Sequence, residues 1–132
     1  MNKIQYIHTG ITSSCIENAD RFFSGILGMT KSEPKETPAP VCNTLFGIQE
    51  AITRVNYTGE QCQFEVFIRR TDKTDIPVIA HTCIAVPDLK IFLDTCRTGN
   101  IEIKEFNTGA KNITFIKDYD GNLYELQQSE LS

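Results

Sequence analysis

The sequence contains no tryptophan, no Cys-x-x-Cys pair, no His-Glu-x-x-His segment and no glycine-rich phosphate loop. These absences exclude a zinc ribbon, a helix-borne zincin centre and a P-loop nucleotide site. No apolar run approaches the roughly 20 residues a membrane-spanning helix needs. The opening, Met1-Asn2-Lys3-Ile4-Gln5-Tyr6, has no long apolar stretch behind it, so no targeting signal and a cytoplasmic location are expected. The five cysteines are odd in number and widely spaced, which argues against a disulfide scaffold and for reduced thiols. Cys62 and Cys83 are expected to be buried core residues. Lys plus Arg number 13 against 17 Asp plus Glu, for a net charge of −4. That balance speaks against nucleic-acid and membrane-surface partners, whose phosphates attract cations. It leaves room for a small-molecule substrate held by a local Arg or Lys.

What is present is a core-forming chain of 132 residues, 40% of them hydrophobic. That length suits one compact domain or two small modules that share a core. Residues 4–11 read as a strand, followed by a hydroxyl-rich turn at Thr12-Ser13-Ser14 suited to helix capping. Ile16, Ala19, Phe23 and Leu27 recur at helical spacing, and the helix should stop near Gly28. Residues 31–40 hold three prolines and read as loop. Residues 41–48 read as a further, irregular strand. Residues 51–57 and 61–69 read as strands joined at Thr58-Gly59-Glu60. In the second of these, Cys62, Phe64, Val66 and Ile68 share one face, and Gln63, Glu65, Phe67 and Arg69 the other.

After a linker at residues 71–77 the order repeats. Residues 79–86 read as a strand, Pro87-Asp88 opens a helix with Leu89, Phe92, Leu93 and Cys96, and Gly99 follows its end. Residues 101–106, 112–117 and 123–126 read as strands, the last two joined by Asp118-Tyr119-Asp120-Gly121. The same unit therefore occurs twice. His8 and His81 occupy equivalent first strands, and Glu65 and Glu125 equivalent last strands. One such unit is too small to bury its sheet alone, so the two are expected to pair.

Four stretches resemble the vicinal oxygen chelate superfamily, the glyoxalase I, bleomycin-resistance and dioxygenase-like group. They are Tyr6-Ile7-His8-Thr9-Gly10-Ile11, the helix ending Leu27-Gly28-Met29, His81-Thr82-Cys83-Ile84-Ala85-Val86, and Asp118-Tyr119-Asp120-Gly121-Asn122-Leu123-Tyr124-Glu125-Leu126. In the last, Tyr119 stands where the family has proline. The resemblance implies an α+β fold: two paired β-α-β-β-β modules, here 1–74 and 75–132 of a single domain, forming a cupped mixed sheet. It also implies one divalent metal ion (Zn, Ni, Co, Mn or Fe) held by His8, Glu65, His81 and Glu125, and a homodimer.

The residues themselves support a weaker version of that ligand set. His8 and His81 are the only histidines in the chain, and with Glu65 and Glu125 they offer N and O donors suited to such ions. Each could instead be structural, the histidines packed in the strands and the glutamates facing water. A bound cation would act as a Lewis acid where negative charge builds on substrate oxygens. By resemblance to glyoxalase I, Glu125 and then Glu65 are the candidate proton-transferring bases.

Three functions follow. The first is a metal-dependent lyase or isomerase of the glyoxalase I type, shifting a proton next to a carbonyl through a metal-bound enediolate. The second is a methylmalonyl-CoA epimerase-like enzyme, although such proteins often carry Gln where Glu65 stands. The third is a non-catalytic, resistance-type binding protein. Arg54, Arg69, Arg70, Lys104 and Lys117 are candidate anion contacts or solvated strand ends. Phe46, Phe67, Phe106, Phe115 and Tyr124 are candidate pocket walls or core.

Overall fold

The computed structural model describes residues 5–70 and 79–130, so Ile4 of the expected first strand and the linker at 71–77 lie outside the described residues. The chain forms two compact units, Met1–Asp72 and Lys73–Ser132.

In the first unit, β1 (Thr9–Ser13) leads into α1 (Ile16–Ala19), which continues without a break as a π-helical segment, Asp20–Ile26. Two short strands, β2 (Thr30–Lys31) and β3 (Lys35–Thr37), precede α2 (Ala39–Phe46), and the long hairpin β4 (Ile52–Gly59) and β5 (Cys62–Ile68) completes the unit. The strand order is β1-β5-β4-β2, with β3 also on β4. β1 runs parallel to β5 and the other pairs are antiparallel. The second unit is simpler: β6 (His81–Val86), α3 (Leu89–Thr98), β7 (Glu102–Asn107), β8 (Asn112–Lys117) and β9 (Leu123–Gln128). Its order is β6-β9-β8-β7, with β6 parallel to β9. Each unit thus places its first strand beside its last, and the fold is the expected α+β arrangement of two mixed sheets.

Alternation decides which face carries what. On one face of the first sheet Val55, Tyr57, Phe64 and Val66 are fully buried. The helical segment covers them through Phe23, whose ring lies 5.0 Å from Tyr57 and 5.1 Å from Phe64. The Tyr57 hydroxyl donates to Asp20 Oδ1 (2.7 Å), and Lys31 Nζ reaches Asp20 Oδ2 (3.0 Å). In the second unit Ile116, Tyr124 and Leu126 form the buried face, and Leu93 and Cys96 of α3 are buried too. Asp88 caps α3, its Oδ1 accepting from the Ile91 N–H at 3.0 Å.

Several local expectations change. β1 starts at Thr9 and runs through Ser13, so residues 12–14 are not a capping turn; Cys15 occupies the N-cap with no side-chain bond. The expected loop at 31–40 contains two short strands, because the edge of β4 accepts pairing from both sides of Pro34. The expected strand at 41–48 is a helix. Pro38 enters it in extended geometry, Pro40 sits in its first turn, and Gly47 closes it at φ 71°, where glycine carries no Cβ penalty.

Candidate functional site

The face of each sheet away from its helix carries the polar residues. In the first unit β1, β5 and β4 set Gly10, Glu65 and Asn56 side by side across the sheet. His8, one residue before β1, brings Nε2 to 3.9 Å from Glu65 Oε1. To one side of Glu65, Gln63 faces Thr58; to the other, Phe67 faces Arg54. The Phe46 ring of α2 packs edge-on against Phe67 at 5.3 Å, so the end of α2 borders this face. A polar recess of about 590 Å³ opens where residues 5–7 pass the β4–β5 turn, with Tyr6, Gln61 and Gln63 in its lining.

In the second unit the matching row is Cys83, Glu125, Phe115 and Lys104. His81 Nε2 lies 3.7 Å from Glu125 Oε1. The His81 ring rests 4.9 Å from Phe115. Its Nδ1 is 2.7 Å from the Ile79 carbonyl oxygen. A carbonyl only accepts, so Nδ1 carries the proton, and the lone pair of the neutral ring sits on Nε2, facing Glu125. An outward-turned nitrogen with its partner nitrogen tied to a carbonyl is how ligating histidines are oriented.

The structure therefore brings His8 to Glu65 and His81 to Glu125, each pair within one unit. Among the described residues no group of three or more His, Cys, Asp or Glu side chains gathers around one point. The pairs fit a divalent cation in donor type. Two donors on one ion with bonds of about 2.0–2.2 Å stand roughly 3–3.5 Å apart, a few tenths of an ångström tighter than either pair. All four side chains are a quarter to about two-fifths exposed, within reach of a ligand.

Other candidates separate cleanly. Cys83 is exposed rather than core, because it shares the parity of His81 on β6 and lies opposite Glu125. Partial burial, then the Glu125 carboxylate, push its thiol above the usual range. Cys62 is half-buried. Arg69 is paired with Glu50 (3.0 Å) and Lys104 with Glu102 (3.6 Å), while Arg54 donates to Thr37 Oγ1 (3.3 Å). Tyr124 is core, and Phe106 is 69% exposed. The Asp118-Tyr119-Asp120-Gly121-Asn122 turn is structural. Asp118 accepts from the N–H groups of Asp120 and Asn122 (2.9 Å each), the Asn122 amide (2.8 Å) and the Tyr124 hydroxyl (2.8 Å). Sequence reasoning did not single out Asn56, although it is the polar residue opposite Glu65 in the expected strand 51–57.

The sequence matches the Glyoxalase/Bleomycin resistance protein/Dioxygenase superfamily over residues 5–126. The chain belongs to that superfamily. A lactoylglutathione lyase of Pseudomonas aeruginosa is 28% identical over 116 residues, which is 85% of this chain and 64% of the relative, so the chain spans just under two thirds of that protein. The fold matches a glyoxalase family protein from Enterococcus faecalis with a TM-score of 0.72 at 18% identity, covering 97% of this chain and all of that one. It also matches the fosfomycin resistance protein FosX from Listeria monocytogenes, solved with Mn(II) and sulfate, with a TM-score of 0.68 at 11% identity over 99% of this chain and 96% of that one.

Proposed function

We propose that this protein is a metal-dependent lyase or isomerase of the glyoxalase I type, with His8, Glu65, His81 and Glu125 as ligands to one divalent cation. The observation that carries the reading is the repeated pair: a histidine Nε2 facing a glutamate oxygen, at 3.9 Å in one unit and 3.7 Å in the other, His8 lying one residue before β1 and His81 opening the equivalent β6. A lactoylglutathione lyase among the relatives supports the reaction class. When bound, the cation supplies positive charge against an oxygen that becomes negative as a neighbouring carbon loses its proton.

The chain's own residues do the rest. The histidines present imidazole nitrogens, His81 with Nδ1 tied to the Ile79 carbonyl and Nε2 left for the cation. Glu125 is the first candidate for the base that takes the proton and returns it to the adjacent carbon, and Glu65 the second. In the second unit Phe115 shields one face of His81, and in the first Phe67, packed on Phe46, flanks Glu65 along β5. The substrate class is the hemithioacetal of a 2-oxoaldehyde with a thiol. A cytoplasmic homodimer belongs to the same proposal, and sedimentation velocity tests the dimer.

A second reading has its own support. Among the described residues no three His, Cys, Asp or Glu side chains gather around one point, which fits a non-catalytic protein that binds a small molecule. Metal content of untagged protein prepared without chelator separates the two. About one equivalent of Mn, Fe, Co, Ni or Zn per chain, with turnover of a hemithioacetal panel, supports the enzyme. No retained metal after incubation with each ion overturns it in favour of the binding protein.

A further inference from the structure

The two half-sites differ on both flanks of the glutamate, Gly10 standing where the second unit has Cys83, and Asn56 where it has Phe115. Opposite Glu125 stands Phe115, whose ring braces His81. Opposite Glu65 stands Asn56. The backbone at Asn56 is pinned: its N–H donates to Ser32 Oγ (2.9 Å) and its carbonyl accepts from the Ser32 N–H (2.8 Å). Its side chain is not pinned. Asn56 Oδ1 is, among the described residues, the buried side-chain oxygen or nitrogen that lacks a hydrogen-bond partner. Such an orphan costs about 1–3 kcal/mol and calls for an explanation.

We propose that Asn56 is the third donor of the first half-site, supplying its amide oxygen to the cation held by His8 and Glu65; this rests on the metal reading above. Asn56 and Glu65 are cross-strand partners, so their side chains leave the same face. Gly10, on the other flank of Glu65, adds no side chain to crowd that row. Among the described residues no hydrogen bond holds the amide oxygen where it is. A turn about χ2, a soft torsion for asparagine, brings the oxygen to the open face without breaking any hydrogen bond. A neutral amide oxygen beside a carboxylate and an imidazole hardens the donor set and favours oxygen-preferring ions such as Mn²⁺. A strand asparagine that merely faced solvent would be hydrated, whereas this oxygen is covered.

The test uses the full chain with Mn²⁺ as the probe, its free fraction read by electron paramagnetic resonance. The proteins are wild type, Asn56→Leu (near-isosteric, without a donor), Asn56→Thr (too short to reach) and Asn56→Asp. The expected result is Mn²⁺ binding at least about 10-fold weaker in the Leu and Thr variants and at or above wild-type strength in Asp. The metal-free Leu variant should melt no lower than wild type, since it loses no hydrogen bond. Unchanged Mn²⁺ affinity in the Leu and Thr variants overturns the assignment. If wild type binds Mn²⁺ and Glu65→Gln releases it while the Asn56 variants do not, only the Asn56 assignment fails. If wild type takes up no metal at all, the metal reading fails and the assignment with it.

Discussion

His81 Nδ1–H donates a hydrogen bond to the Ile79 carbonyl, 2.7 Å away, and so holds Nε2 toward Glu125. The two edges of the imidazole therefore have different jobs, and substitutions separate them. Asparagine places an amide N–H near the Nδ1 position and nothing near Nε2. Glutamine reaches to the Nε2 position with an oxygen. In the metal reading, His81→Asn lowers divalent-metal affinity by at least about 10-fold, His81→Gln by less, and neither shifts the melting temperature of the metal-free protein by more than about 2 °C, because the side chain is a third exposed. Isothermal titration with Zn²⁺ and thermal melts check both halves. Equal affinity across the three proteins removes His81 from the ligand set.

Tyr57 and Asp20 tie the first sheet to its helical cover. The phenol is fully buried, and its hydroxyl donates to Asp20 at 2.7 Å. Burial, reinforced by the Asp20 carboxylate, raises the phenol far above its ordinary range, so it stays a donor at all working pH values. Tyr57→Phe removes one hydrogen bond to a charged acceptor and leaves Asp20 with Lys31. Urea unfolding should show a loss of about 1.5–3 kcal/mol with unchanged m-value. A loss under 0.5 kcal/mol would mean that Lys31 and water satisfy Asp20 without the tyrosine.

Asp88 caps α3 with a single side-chain bond to the Ile91 N–H. Asp88 is exposed, so Asp88→Ala isolates the cap. A loss of about 1 kcal/mol is expected by urea unfolding, and Asp88→Ser should recover most of it. Failure of serine to recover stability would point to the charge near the helix N-terminus rather than to the hydrogen bond.

The second unit was legible almost residue by residue, because its signals agree. The expected strand 112–117 is β8, and Asp88 and Gly99 bracket α3. The first unit was harder for identifiable reasons. Residues 41–48 set Val41 with Leu45 and Cys42 with Phe46 at helical i, i+4 spacing, which the strand reading passed over; three of the four are exposed in α2, so no buried stripe reinforced that spacing. The useful signal there was punctuation, Pro40 inside the first turn and Gly47 after the last. The π-helical stretch has no sequence signature: Leu27 N–H bonding back to the Phe22 carbonyl is a choice of hydrogen-bond register that periodicity does not report. Cys83 was assigned by residue type to the core, but its parity with His81 puts it on the open face. Asn56 was passed over because an orphaned oxygen is visible only once its neighbours are placed.

Asp118 offers a pH signature of its own. It is 8% exposed, and burial raises its carboxyl above the ordinary 3.8, while its four hydrogen bonds pull the other way. A carboxyl whose folded-state pKa is raised holds its proton more tightly in the folded chain. Its contribution to stability is thus fully present below the unfolded value and is lost as pH rises through the folded one. Asp118→Asn is neutral throughout, and its amide oxygen still accepts from the Asp120 and Asn122 N–H groups. The stability of Asp118→Asn minus that of wild type should therefore climb with pH from about pH 4 and then level off, as read from urea midpoints across a pH series. Asp118→Ala leaves the buried Tyr124 hydroxyl and two turn N–H groups without their acceptor, at a cost of about 2–4 kcal/mol at low pH that shrinks as pH rises, by the same linkage. A difference curve for Asp118→Asn that falls with pH would show the hydrogen bonds outweighing burial, with the native carboxylate held below its ordinary value.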